Sequence, residues 1–245
     1  MSMQKFNLDQ HVKEEHKLSP ISTYLKEIVY GGNDGIITTF AVVAGFAGAQ
    51  ADPATRLPVF AVLLFGFANL FADAVSMALG NFMSTRSEKD VYRRIKAGET
   101  YEIAHKPEYE EYETKEILIH KGFTPKQADD LVAIYKTNPE YWTDFMMNHE
   151  LSLPNPEGEN SMFMSLMTFI SFIIFGLIPL LPYILLSGEN LFSFSIVFTF
   201  LALTALGVIR WRVGMQSFWR GIGETLLLGL ISTLTAYFVG VAFKA

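Results

Sequence analysis

PVFAVLLFGFANLFADAVSMALGNFMSTRSEKDVYRRIKAGETYEIAH, residues 58–105, decides the fold. An apolar run passes without a proline into a charged one, so nothing obliges a helix begun near Pro58 to stop before His105. At ~1.5 Å per residue such a helix is about 70 Å long, whereas the hydrocarbon core of a bilayer is ~30 Å thick. Its first half reads as a membrane span and its second half stands in water. Within the apolar half Asn69, Asp73 and Met77 recur at i, i+4 and i+8 on one face, with Gly66 and Gly80 close to the same stripe. A carboxylate inside a spanning helix costs roughly 2.5 to 3.5 kcal/mol on insertion scales, which directs Asp73 to a bundle interior or a wet cavity and makes it a functional candidate.

Outward from this helix, the apolar residues lie in long blocks and half of the 245 residues are hydrophobic, the pattern of a polytopic membrane protein. A first span is expected over 28–49, the long helix is the second, and three more follow near 162–186, 191–209 and 222–243. Pro179 and Pro182 should kink or end the third. The first span is interrupted by GGNDG at 31–35, a composition that ordinarily marks a turn. Non-helical backbone at membrane depth survives only beside protein or water, so a turn or a helix alike puts Asp34 in a special environment and makes it a candidate. Residues 1–27 are polar, show no cleavable signal, and read as a cytoplasmic amphipathic segment entered through Ser19-Pro20; QADPATRL at 50–57 is a short loop. Five spans place the termini on opposite sides. Of the 19 Lys and Arg, all but Arg56 and Lys244 fall in residues 1–29, in 86–160 or at Arg210, Arg212 and Arg220, which puts the N-terminus and the insert in the cytoplasm.

The segment 86–160 holds ten Lys and Arg against sixteen Asp and Glu, and so carries an imbalance equal to the whole net charge of −6. An acidic insert argues against nucleic acid and suits a cation. It reads as a bundle of three to four helices: the end of the long helix, a second at 108–122 closed by Gly122, a third opened by the Thr124-Pro125-x-Gln127 capping box, and a fourth from Asn138-Pro139. Pro154, Pro156 and Gly158 form the linker back to the membrane. The absence of cysteine removes disulfides, thiolate metal sites and cysteine nucleophiles.

Glu99-x-x-Glu102, Glu110-x-x-Glu113 and Met146-Met147-x-x-Glu150 each place side chains on one helical face. Carboxylates from facing helices give hard oxygen ligands, and thioethers add a softer donor that favours a transition metal over calcium or magnesium. Any one Glu-x-x-Glu is commonplace on a solvated helix; three on adjoining helices point to a metal site. Glu102-Ile-Ala-His105 fits the Glu-x-x-His of carboxylate di-iron enzymes, but the second copy such a centre needs is missing, so His105 reads as structural. His120 and His149 read as exposed or capping groups. No nucleophilic triad, phosphate loop or dinucleotide fingerprint is present in the sequence.

YGGNDGIITTFAVVAGFAGA (30–49), FADAVSMALGNFMSTRSEKD (71–90) and the glycine-rich last span together resemble the vacuolar iron transporter family of divalent metal–proton antiporters, over nearly the whole chain after residue 20. The resemblance implies a transport path lined by Asp34 and Met77. It implies a cytoplasmic metal site of Glu99, Glu102, Glu110, Glu113, Met146, Met147 and Glu150, and a homodimer. Many relatives carry Glu where this chain has Asn81, which moves the expected intramembrane carboxylate to Asp73. Without the ferritin-like extension of some bacterial relatives, metal oxidation is not expected.

The expectation is therefore an all-α membrane protein of five transmembrane helices, the second extended into a cytoplasmic metal-binding domain. Residues 1–27 form the N-terminal segment, 28–85 the first two spans, 86–160 the metal-binding domain and 161–245 the last three spans. Its activity would be export of Fe2+, and also Mn2+, from the cytosol in exchange for protons across a bacterial inner membrane or a vacuole-like organelle membrane. No cofactor is expected, the metal being substrate and bound ligand. The rival readings are a metal-gated channel or sensor without proton coupling and, on the single Glu-x-x-His, a membrane-bound di-iron oxidase.

Overall fold

A computed structural model of the chain describes residues 20–49, 59–188, 190–214 and 217–242, and every regular element among them is helical. In chain order these are α1 (Pro20–Thr23), α2 (Leu25–Ala49), α3 (Val59–His105), α4 (Pro107–His120), α5 (Pro125–Tyr135), α6 (Pro139–His149), α7 (Ser161–Leu177), a 3-10 turn at Ile178–Leu180, α8 (Leu181–Leu185), α9 (Leu191–Gly214) and α10 (Phe218–Ala242). The amphipathic segment expected over 1–27 lies outside the described residues up to Ser19, as does the loop at 50–57. The 47 residues of α3 form a single helix, as its proline-free pattern requires. Among the described residues, four helices are long and apolar enough to cross a membrane: Val59–His105, Ser161–Leu185, Leu191–Val213 and Phe218–Ala242. The helix α2 has the length but is less apolar, diluted by Asn33, Asp34 and five glycines.

The chain divides into two compact units, one of Met1–Asn81 with Met162–Ala245 and one of Phe82–Ser161. In the first unit α2 is central and packs most extensively against α10, then against α9. Here the GGNDG stretch departs from the turn its composition suggests: α2 runs through it as continuous helix. The reason is packing. A Cβ on Gly31 would lie 2.6 Å from the Thr168 carbonyl oxygen, and one on Gly35 would run into the Phe172 backbone, so these positions let α2 and α7 approach to backbone contact. Lipid tails are as apolar as leucine, so close packing of this kind, and not exclusion of water, holds such helices together. Phe40, Val43, Ala44, Val62 and Leu180 form one core cluster, Ile36, Ala202, Leu203 and Leu206 a second, and Leu70, Ala74 and Phe172 a third. As expected from Pro179 and Pro182, regular α-helix stops at Leu177 and resumes at Leu181 after the 3-10 turn.

The second unit is a helical bundle with its own core of Ile103, Leu118, Ala128, Val132, Trp142, Phe145 and Met146. Its helix ends are set by local chemistry. Thr124 and Gln127 form the reciprocal capping box, Asn138 Oδ1 accepts from Tyr141 N at 3.2 Å, and Gly122 ends α4 with a φ of 98° that few side chains tolerate. Lys96–Asp144 (2.5 Å), Lys115–Asp129 (2.6 Å) and Arg93–Glu157 (2.5 Å) pair across elements, each exposed enough for solvent to screen most of its attraction.

Candidate metal centre and intramembrane acidic pair

Within the second unit, the helices bring five glutamates into mutual electrostatic reach: Glu99 and Glu102 from α3, Glu110 and Glu113 from α4, and Glu150 at the end of α6. Glu99 and Glu110 are buried, 6 % and 2 % exposed, and their carboxyl groups share a hydrogen bond. Burial disfavours the charged form and the neighbouring carboxylates repel a second charge, so the Glu99 carboxyl is pushed up to about 8. Glu110 is also raised, by burial first, while the hydrogen bond from Glu99 pulls it back down. Glu99 is thus the protonated partner and Glu110 the acceptor. Glu150 is raised by burial and then by Glu113, Glu110 and Glu102.

The other expected ligands are engaged differently. Glu102 Oε1 accepts a hydrogen bond from Lys106 Nζ at 3.0 Å, one turn on. Met146 and Met147 are fully buried, and the Met146 sulfur accepts from Thr114 Oγ1 at 3.2 Å while Trp142 Nε1 donates to that hydroxyl at 2.7 Å. Among the described residues, no three His, Asp or Glu side chains stand at spacings that hold a metal ion. His105 bonds Tyr101 O through Nδ1 at 2.9 Å and stacks on the Tyr101 ring, and His120 Nδ1 meets Glu116 O at 3.0 Å.

In the first unit, Asp34 on α2 and Asp73 on α3 approach closely enough for their charges to interact. Asp73 Oδ2 accepts from Asn69 Nδ2 at 2.8 Å, the i, i+4 pairing that the helical stripe implies. The third member of the stripe, Met77, is half-buried against Leu70, Ala74 and Phe172. Asn81 Nδ2 donates to Thr168 Oγ1 at 2.9 Å and so ties α3 to α7. Sequence reasoning missed Glu27, which is 2 % exposed with its Oε1 unpartnered. Glu27, Gly31 and Asp34 follow at i, i+4 and i+7, a helical stripe that could have found it.

The sequence model of the VIT family matches residues 25–241. The chain belongs to the VIT family. This family member is 34% identical over 229 residues to vacuolar iron transporter 1 of Oryza sativa subsp. japonica, covering 93% of this chain and 87% of the relative. Vacuolar iron transporter 1 of Arabidopsis thaliana is 32% identical over 231 residues, with 94% and 89% covered. The vacuolar iron transporter of Plasmodium berghei (strain Anka) is 34% identical over 248 residues, with 97% and 88% covered. The aligned stretch takes in both units of this VIT family member, the paired aspartates and the glutamate set together.

Proposed function

We propose that this protein carries Fe2+, and also Mn2+, out of the cytosol in exchange for protons. The observation that supports it most directly is the Asp34–Asp73 approach among apolar helices. Two protonated aspartates, or two aspartates around one divalent cation, are both electrically neutral, whereas the ionised pair alone is costly in such surroundings. Exchange of protons for a cation therefore avoids the expensive state, and Met77, one turn from Asp73, offers a sulfur donor suited to a transition metal. The relatives' names, vacuolar iron transporters, agree with iron as the cargo.

In this reading α2 is the fifth span. The N-terminus and residues 86–160 are cytoplasmic, the protein works as a homodimer, and the membrane is that of a vacuole-like organelle or a bacterial inner membrane. The glutamates 99, 102, 110, 113 and 150 capture metal: the cation displaces the Glu99 proton, draws Glu102 from Lys106, and gains Met146 and Met147 when the Thr114 hydroxyl turns away. Purified protein in liposomes, loaded with a pH dye, should show Fe2+ flux that a pH gradient drives and that moves protons the opposite way. Metal flux indifferent to the pH gradient would assign a channel instead.

A further inference from the structure

A cavity of about 530 Å³ opens between α2, α9 and α10, lined by residues of the first unit alone. Leu25, Val29 and Leu228 make its walls apolar, while Lys26 and Arg210 bring positive charge to it. Arg210 is held in place: Nη1 donates to Thr225 Oγ1 at 2.9 Å and Nη2 to Glu224 Oε2 at 3.0 Å. The same Glu224 also accepts from Arg220 Nε at 3.0 Å, so one carboxylate is divided between two guanidinium groups and the cluster stays cationic. An arginine fixed this way is pre-organised for an oxyanion.

The surroundings say where this cavity sits in a membrane. Trp211, Phe218 and Trp219 form a chain of edge-to-face rings with centroids 5.2 and 5.4 Å apart, and Trp219 is 80 % exposed. Exposed amphipathic rings among arginines at the end of apolar helices belong at the headgroup level. Asn33, two turns along α2 from Lys26 and roughly 10 Å deeper, supplies an amide at the depth of ester carbonyls. Cation above, amide below and apolar walls alongside match one molecule in order: phosphate, glycerol esters, acyl chain.

We propose that this cavity binds an anionic phospholipid, its phosphate on Arg210 and Lys26 and an acyl chain along Leu25, Val29 and Leu228. The full chain, delipidated in neutral detergent, is titrated with dioleoylphosphatidylglycerol, dioleoylphosphatidylcholine or inorganic phosphate while the thermal unfolding midpoint is followed. Phosphatidylglycerol should raise the midpoint saturably and the other two should not. Lys26→Gln, a change at an exposed side chain that spares the fold, should weaken phosphatidylglycerol about fivefold, the effect of one interfacial charge. Arg212→Gln, outside the cavity, should leave the titration unchanged. Equal protection by phosphatidylcholine or by inorganic phosphate, a Lys26→Gln protein that titrates like the parent, or an equal loss in Arg212→Gln would each overturn the site.

Discussion

Glu99 and Glu110 share one hydrogen bond inside the bundle of residues 82–161, and Oε1 of Glu99 and Oε2 of Glu110 are buried without partners. Two buried carboxyls with an unused oxygen each are a poor solution for a protein that only needs to fold, because a buried unsatisfied polar group costs about 1–3 kcal/mol. They are a reasonable one for a site that a cation completes.

The pH dependence follows from the direction of the shift. The folded-state value for Glu99 is raised, to about 8, above its ordinary 4.5, so the stability tied to its protonated form is complete below the ordinary value and is lost as pH rises through the folded one. The metal-free protein should therefore lose stability between pH 5 and 8 while its metal affinity climbs, by about tenfold per pH unit if one proton is displaced. Glu99→Gln keeps the hydrogen bond to Glu110 and should flatten the stability profile while lowering affinity. Thermal unfolding across pH with and without Mn2+, paired with calorimetry in two buffers of different ionisation enthalpy, counts the proton; none released on binding would remove Glu99 from the site.

Thr114 is the hinge of the Met146 environment, donating a hydrogen bond to the sulfur and accepting one from Trp142. Thr114→Val conserves shape but strands the buried indole N–H, so the protein should lose about 1–3 kcal/mol. The same change frees the Met146 sulfur. If metal capture works as proposed, affinity for a soft cation such as Cd2+ should hold or rise despite the lower unfolding midpoint; parallel losses in both would make Met146 a packing residue.

Much of this was legible in the sequence because it follows from local rules. The unbroken α3, the Thr124 and Asn138 caps, the stop at Gly122 and the break at Pro179 each depend on neighbours within a turn or two. The GGNDG stretch was not, since its glycines answer to Thr168 and Phe172, more than a hundred residues away. Spacing likewise placed Glu99, Glu102, Glu110, Glu113 and Glu150 on faces, but only the packing of α3 on its neighbours decides that Glu99 and Glu110 are buried while Glu102 bonds Lys106.

A single methyl group tests that account of α2. Gly31→Ala would improve helix propensity by close to 1 kcal/mol in isolation, yet its Cβ meets the Thr168 carbonyl at 2.6 Å, and backbone cannot step aside as a side chain can. The expected outcome is a lower unfolding midpoint and reduced transport. Gly80→Ala, where a Cβ meets nothing within 4 Å, should be neutral or mildly stabilising in the same assay. Equal behaviour of the two variants would mean that the α2–α7 approach is looser than described.

The sharpest test separates Asp34 from Asp73. Both aspartates lie within the apolar unit, but Asp73 already accepts from Asn69, whereas the Asp34 carboxylate, on α2, lies within reach of the Asp73 charge. Asp34→Asn keeps volume and hydrogen bonding while removing the charge, so the insertion cost falls and the protein should stay folded. If the pair exchanges protons for metal, one remaining carboxylate cannot neutralise a divalent cation, and both metal flux and the opposing proton movement should fall below about a tenth of the parent's. Asp73→Asn should do the same if the two act as one unit, and the double variant should be no worse than either alone. Paired dye measurements of metal and pH in liposomes at equal protein density read both quantities at once. Near-parental flux in Asp34→Asn with loss in Asp73→Asn would shift the exchange to Asp73 and its neighbours Asn69 and Met77; near-parental flux in both would leave the acidic pair a structural contact and remove the observation on which proton-coupled transport rests.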